Sequence, residues 1–310
     1  MRELYPSLDN VHLSDAWLTI GVFDGVHRGH QEIIHQLTAG AHASGAPAVV
    51  LTFNPHPALV LAGRDIRCLT TPEERADILF RLGVDAVISM EFTRQLAEHS
   101  AEDFMADLKH HLGLKQLLTG HDFALGRNRA GNLDRLTQLG QELSYQVRTL
   151  APVKFDNAII SSTLIRQTVA EGAVRLAAEK LGRYYSMTGP VIPGDARGRT
   201  IGIPTANIEF PACKAVPLNG VYACWASLEG KKIRAVVNIG LRPTFTTPTE
   251  QVLPRVEAHL LDFAADLYGQ TLTLEFVERL RAEQKFTSVE ALVAQIHNDI
   301  NTAQGILANP

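Results

Sequence analysis

The chain has no uninterrupted apolar run approaching the ~18 residues of a membrane-spanning helix, so insertion into a bilayer is not expected. Its first residues, Met1-Arg2-Glu3-Leu4-Tyr5-Pro6, lack the basic stretch leading into an apolar segment that marks an export signal. Cysteine is scarce: the 3 present, Cys68, Cys213 and Cys224, are widely spaced and form no CxxC or Cys/His metal pattern. A reducing, cytoplasmic setting is the expectation. An excess of positive charge is also missing, with 29 Lys and Arg against 33 Asp and Glu and a formal net charge of -4. Neither nucleic acid nor an anionic membrane is therefore an expected partner, and phosphate recognition has to be local. The two commonest nucleotide signatures, GxxxxGK[ST] and GxGxxG after the first strand, are absent as well.

What is present suffices for two domains: 310 residues, 45% of them apolar. From Trp17 to about Ala170, short apolar runs alternate with amphipathic patterns. Leu18 to Val22, Ala48 to Phe53, Val84 to Ser89 and Leu114 to Thr119 read as strands, and Gln31 to Ala43 as a helix. Thr71-Pro72-Glu73-Glu74 opens a further helix with a capping box and a first-position proline, Gly83 ends it, and Ser100 opens another that runs to about Leu112. Such alternation predicts a doubly wound parallel α/β sheet with ligands at the carboxyl ends of its strands. Beyond Leu181 the pattern changes to short β-branched and aromatic runs, Val221 to Ala226, Ile233 to Ile239, Val256 to Leu261 and Thr271 to Phe276. These predict an antiparallel barrel or sandwich, closed by a helix that a capping box at Thr287-Ser288-Val289-Glu290 opens, with Leu292, Val293, Ile296 and Ile300 on one face. The boundary is expected within Gly172 to Tyr184, giving domains 1–178 and 179–310.

Directly after the first strand come Gly21-Val22-Phe23-Asp24-Gly25-Val26-His27-Arg28-Gly29-His30 and then a helix. A glycine-relieved turn at a helix N-terminus offers backbone N–H groups and the positive end of the helix dipole to a phosphate. Two imidazoles three residues apart, with Gly29 between them, can donate to oxygens that gain negative charge in a transition state. Taken alone, HxGH reads equally well as a turn with incidental histidines. Ser161-Ser162-Thr163-Leu164-Ile165-Arg166 places hydroxyls at a second helix start with an arginine one turn in; such hydroxyls often serve only as caps. Together, and with Thr52-Phe53-Asn54-Pro55-His56-Pro57 and Gly120-His121-Asp122-Phe123 between them, these segments resemble the adenylyltransferase half of prokaryotic bifunctional flavin synthetases, members of the HxGH nucleotidyltransferase superfamily. The resemblance implies that His27, His30 and Arg166 contact ATP phosphates with support from Ser162 and Thr163. It further implies that Gly21, Phe23, Asp24, Gly25, Gly29 and His56 line the nucleotide site, and that Asp122 and Phe123 belong to the flavin side. Leu164 stands where the family frequently has arginine.

The second half carries Gly194-Asp195-Ala196-Arg197-Gly198-Arg199-Thr200-Ile201-Gly202-Ile203-Pro204-Thr205-Ala206-Asn207. Glycines beside arginines let backbone amides wrap a polyphosphate, and Thr205 and Asn207 offer neutral oxygens of the kind Mg²⁺ accepts. In Val256-Glu257-Ala258-His259-Leu260-Leu261, alternation puts Glu257 and His259 on one strand face; periodicity alone makes Glu257 a solvated strand residue. With Asn238-Ile239-Gly240-Leu241-Arg242-Pro243-Thr244-Phe245 in order between them, these strings resemble the riboflavin kinase signature. That resemblance implies an antiparallel Greek-key barrel. It also implies Glu257 as the base for the riboflavin 5′-hydroxyl, Thr205 and Asn207 as holders of Mg²⁺ and ATP, Gly194, Gly198 and Arg199 near the phosphates, and Arg281 and Phe286 in the flavin wall. Riboflavin, FMN, FAD and ATP are the expected small-molecule partners; self-association into a homo-oligomer is left open. A kinase with a weakened or regulatory first half, because of Leu164, and a non-catalytic flavin or nucleotide carrier are the competing expectations; Glu257 speaks against the carrier.

Overall fold

Six parallel strands, β1 (Glu3–Tyr5), β2 (Trp17–Ile20), β3 (Ala48–Asn54), β4 (Ala86–Glu91), β5 (Gln116–Gly120) and β6 (Gln146–Leu150), form one sheet in the order β1-β4-β3-β2-β5-β6 in the computed structural model. The structure describes residues 2–151, 154–155, 158–194, 198, 201–240 and 254–308. Between the strands run α1 (Arg28–Ala43), α2 (Pro57–Ala62), α3 (Pro72–Arg81), α4 (Arg94–Ala97), α5 (Ala101–Leu112) and α6 (Leu133–Leu143). From β2 the chain winds outward through β3 and β4, beside which the earlier β1 forms the edge, and then crosses to β5 and β6 on the other side. The loop after β2 therefore opens at a point where neighbouring connections part, the crevice where doubly wound sheets bind ligands.

Alternation within buried strands supplies a core on each face. Leu18, Val49, Leu51, Ile88 and Leu117 pack with Phe104, Met105 and Leu108 of α5. Val50, Val87 and Leu118 pack with Ile34 and Leu37 of α1 and Leu79 of α3. Each fully buried side chain of this size contributes about 2 kcal/mol through the hydrophobic effect, so a one-residue register slip, which would exchange the two faces, is strongly disfavoured.

Local signals set the helix ends. In α3 the Glu74 N–H donates to Thr71 Oγ1 at 3.2 Å and the Thr71 N–H to Glu74 Oε2 at 2.9 Å, a complete capping box with Pro72 at the first position. Gly83 follows at φ +94. Ser100 caps α5 by accepting the Asp103 N–H at 3.0 Å.

A short antiparallel pair, β7 (Lys154–Phe155) and β8 (Ala158–Ile159), leads to α7 (Ser162–Ala170) and α8 (Val174–Leu181). The chain divides into two compact units, 1–162 and 163–310. In the second, β9 (Tyr185–Ile192), β10 (Ala206–Ile208), β11 (Gly220–Leu228), β12 (Lys231–Gly240), β13 (Arg255–Leu260) and β14 (Thr271–Arg281) close an antiparallel barrel in the order β10-β13-β12-β11-β14-β9. Of the two β architectures left open above, it is the barrel. The last helix, α9 (Val289–Ile306), is capped by Ser288, which accepts the Ala291 N–H at 3.2 Å. The expected cap, Thr287, is one residue too early, and with alanine at the third helical position the reciprocal carboxylate of a capping box is absent.

Two candidate active sites

Residues 21–27 join the carboxyl end of β2 to α1. The chain passes through Phe23 (φ 51), Gly25 (φ 79) and Val26 (φ 37), backbone values that glycine adopts freely and the other two do not. The core pays for this strain: Phe23 and Val26 are buried in the cluster under α1. The Asp24 carboxylate accepts the Leu69 and Thr70 N–H groups at 2.9 and 3.1 Å, and the Gly25 N–H donates to Thr70 Oγ1 at 3.0 Å. Asp24 is thus 2% exposed and clamps the loop from within. From the other side, Ser162 Oγ donates to the Asp24 carbonyl at 2.9 Å.

The clamped loop delivers the two histidines. His27 is the N-cap of α1, its Nδ1 accepting the His30 N–H at 3.4 Å, which puts the proton of a neutral ring on Nε2. The His27 and His30 rings stack with centroids 3.6 Å apart, and the Phe23 ring meets His30 edge-on at 5.0 Å. Gly29 lies between them in the first turn. A residue that sequence reasoning passes over, Arg75, is 4% exposed and donates from one terminal nitrogen to the Val22 carbonyl at 2.8 Å and Thr52 Oγ1 at 2.6 Å, tying the ends of β2 and β3 together. His56 caps α2, with Nδ1 accepting the Ala58 N–H at 3.1 Å.

Beside this loop is a cavity of about 510 Å³ with Gly21, Phe53, Phe92, Leu96, Phe123 and Leu125 in its wall. Phe53 and Phe92 meet edge to face at 5.3 Å. Aromatic walls of this kind suit a planar ring system. Asp122 is exposed beside Phe123, and its carbonyl accepts from Arg129 at 2.8 Å. Thr163 is exposed and Arg166 half-buried in the first turns of α7.

In the second unit, a cavity of about 640 Å³ gathers Gly198, Thr205, Glu257, Arg281 and Phe286, all expected from the sequence. The β13 burial pattern alternates as predicted, with Val256, Ala258 and Leu260 buried and Glu257 and His259 on the cavity side. Ile201, Ile203, Val221, Val236, Leu292 and Ile296 supply apolar wall. Backbone bonds from the Ile203 and Ile201 N–H groups to the Gly198 carbonyl, at 2.8 and 3.3 Å, close the loop under Thr205. A Cβ on Gly198 would lie 2.2 Å from the Ile203 carbonyl oxygen, which excludes a side chain there, and one on Gly194 would lie 1.9 Å from Asn207 Nδ2, so a side chain there would have to displace that amide. Asn207 is buried on β10, opposite Glu257 in the β10–β13 register. Arg199 lies outside the described residues, as do Asp195 to Arg197, Thr200 and Leu241 to Phe245.

Three charged residues of this site carry no sequence signature. Arg255 links Asn207 and Glu257. Asp299, on α9, holds Arg281 in a two-pronged ion pair, and the Arg281 guanidinium lies 5.8 Å from the Phe286 ring centroid. Glu283 reaches over Gly240, where a Cβ would approach its Oε1 to 2.1 Å.

Comparison with known proteins gives a match in each half. Residues 9–164 match the family model described as FAD synthetase, and residues 181–307 the one described as riboflavin kinase. Over 291 residues, 94% of this chain and 92% of the relative, it is 37% identical to the bifunctional riboflavin kinase/FMN adenylyltransferase of Pseudomonas fluorescens. The protein of that name from Escherichia coli K12 is 38% identical over 290 residues, 93% of this chain and 91% of the relative. A crystal structure described as a macrolide-efflux protein from Streptococcus pneumoniae superposes with a TM-score of 0.88 at 30% identity, covering 98% of this chain and 99% of that one. In the chain described here, no helix among the described residues is long and apolar enough to cross a membrane.

Proposed function

This chain belongs to the bifunctional riboflavin kinase/FMN adenylyltransferase family, and we propose that its two reactions run on the two sites just described, one in each half. It phosphorylates riboflavin to FMN with ATP and adenylylates FMN to FAD with release of pyrophosphate. The adenylyltransferase domain is taken as 1–178 and the kinase domain as 179–310, a division bracketed by the end of the first family match at 164 and the start of the second at 181.

In the kinase half, Glu257 accepts the proton of the riboflavin 5′-hydroxyl as that oxygen attacks the γ-phosphorus of ATP and ADP leaves. The observation that carries the assignment is that Glu257 and Thr205 share one cavity whose remaining wall is largely apolar, the environment an isoalloxazine ring and a transferring phosphoryl group need side by side. Arg281 and Phe286 form the flavin wall, with Gly194, Gly198 and Arg199 near the phosphates. Mg²⁺ fits here: Thr205 lines the cavity and buried Asn207 stands opposite Glu257, two neutral oxygens of the kind this ion takes beside phosphates and water. Thr205 and Asn207 would hold it, and the ion would supply charge neutralisation for the transferring phosphoryl group.

In the other half, an FMN phosphate oxygen attacks the α-phosphorus of ATP and the bond to pyrophosphate breaks. His27 and His30, at the N-terminus of α1, donate to the phosphate oxygens, with Gly21, Phe23, Gly25 and Gly29 shaping the turn. Asp24 and Ser162 position that loop; His56, Thr163 and Arg166 complete the nucleotide side, and Asp122 and Phe123 the flavin side. The competing reading, a kinase with a regulatory first half, is not favoured, since both halves match their family models and the full-length relatives are described as bifunctional. We place the protein in the cytoplasm.

Chromatographic separation of riboflavin, FMN and FAD tests the assignment. Glu257→Gln should lose FMN formation by about 10²–10⁴-fold while still converting added FMN to FAD. His27→Ala and His30→Ala should do the reverse, by about 10²–10³-fold. A Glu257→Gln enzyme that still phosphorylates riboflavin at the original rate would remove Glu257 as the base.

A further inference from the structure

Asn207 and Glu257, given separate tasks above, share a third partner. Nε of Arg255 lies 2.5 Å from Asn207 Oδ1 and 2.9 Å from Glu257 Oε1. The arrangement follows from the sheet: Asn207 and Glu257 are register partners across β10 and β13, and Arg255 precedes Glu257 by two residues on the same face of β13. The guanidinium also lies against the backbone of Gly194, where a Cβ would come within 2.7 Å of Nη2. One guanidinium nitrogen thus bonds the amide oxygen assigned to Mg²⁺ and forms an ion pair with the carboxylate assigned to the proton.

We propose that Arg255 is a cationic latch: it holds Asn207 and Glu257 together until Mg²⁺ and ATP arrive, and it gives up both when they bind. The proposal rests on the reading of Asn207 as a metal ligand and Glu257 as the base. A divalent ion taking Asn207 Oδ1 at about 2.1 Å would stand next to a guanidinium bonded to the same oxygen, and two adjacent cations repel. The guanidinium gives way, and the anionic phosphate oxygens of ATP offer it a new partner of matching geometry. Its departure frees the Glu257 carboxylate, whose oxygen is otherwise engaged and charge-compensated by the same group. Loading of the phosphate donor and release of the proton acceptor thus become one event. Arg255 acts through Asn207 and Glu257, as a positioning residue.

The latch lowers affinity for the metal nucleotide by the fraction of molecules held closed, so removing it has a signed consequence. In the full-length chain, Arg255→Met should bind ADP with Mg²⁺ about fivefold to tenfold more tightly than the unaltered protein, measured by calorimetry. ADP without metal should bind no more tightly than before, and the Mg²⁺ concentration giving half-maximal FMN formation should fall by a similar factor. Arg255→Lys, whose ammonium cannot reproduce the shared Nε contact, should shift in the same direction by less, and serves if the methionine variant fails to fold. Unchanged or weaker binding of ADP with Mg²⁺ in a folded variant overturns the latch and makes Arg255 a phosphate ligand or a purely structural group. Asn207→Ala separates the underlying reading: if it leaves the half-saturating Mg²⁺ concentration unchanged, Asn207 is not a metal ligand, whatever Arg255 does.

Discussion

The guanidinium of Arg281 and the carboxylate of Asp299 meet through two parallel bonds, Nε to Oδ1 at 2.9 Å and Nη2 to Oδ2 at 2.8 Å, that fasten the end of β14 to α9. Gln295 adds a third donor to the same carboxylate at 2.9 Å. With side chains only 15% and 6% exposed, the pair is desolvated, so removing one member leaves the other charge stranded. Asp299→Ala is expected to destabilise the kinase half by about 3 kcal/mol, seen as a lower denaturation midpoint, and to raise the KM for riboflavin because Arg281 and Phe286 lose their anchor. Asp299→Asn should recover part of both.

Asp24→Ala should act on the other half. The buried carboxylate accepts N–H groups of Leu69 and Thr70, and their loss releases a loop held at unfavourable φ angles. FAD formation from FMN should fall by at least about tenfold with riboflavin phosphorylation unchanged. An equal fall in both rates would mean that Asp24 supports the whole chain rather than the HxGH loop.

Gly194→Ala probes the kinase site by crowding Asn207 and Arg255 rather than by removing either. The added Cβ would sit 1.9 Å from Asn207 Nδ2. Because that amide is the end of a side chain, it can swing away, so the variant should fold but need a higher Mg²⁺ concentration for FMN formation. Thermal melting and an Mg²⁺ titration of the rate distinguish this from a folding defect.

Alkaline titration should show Tyr145 and Tyr222 ionising late. Burial pushes the phenols of Tyr145 and Tyr222 up to about 12, and each donates to a backbone carbonyl, Leu136 and Leu218 respectively. The folded protein then keeps protons that the unfolded chain has lost, so their contribution to stability is intact below pH 10 and declines between pH 10 and about 12. Absorbance of phenolate against pH, with unfolding followed in parallel, checks both the order of titration and the sign.

The parts of the fold that were legible in the sequence are those written locally. Thr71 and Glu74 announce a helix start because the capping box is complete within four residues, and Glu257 and His259 announce a strand face because the pleat has a period of two. The same local logic failed at α9, where two adjacent hydroxyls, Thr287 and Ser288, offered alternative caps and only the backbone decides between them. Edge strands such as β1, three residues long with one parallel neighbour, carry too little pattern to be recognised. Arg75, Arg255 and Asp299 were missed for a different reason. Their partners lie at Thr52, Asn207 and Arg281, and pairings across the fold leave no spacing rule in the chain.

Barrel closure has a consequence for the order in which the protein is made. β9 pairs on one side with β14, so the earliest strand of the ring waits for the latest before its edge is covered. A chain emerging from the ribosome exposes that unpaired edge until residues 271–281 have been synthesised. Every strand of the parallel sheet, by contrast, lies before residue 151, and α7 ends at Ala170. The half that makes FAD is therefore assembled first, and the half that makes its substrate, FMN, is assembled last.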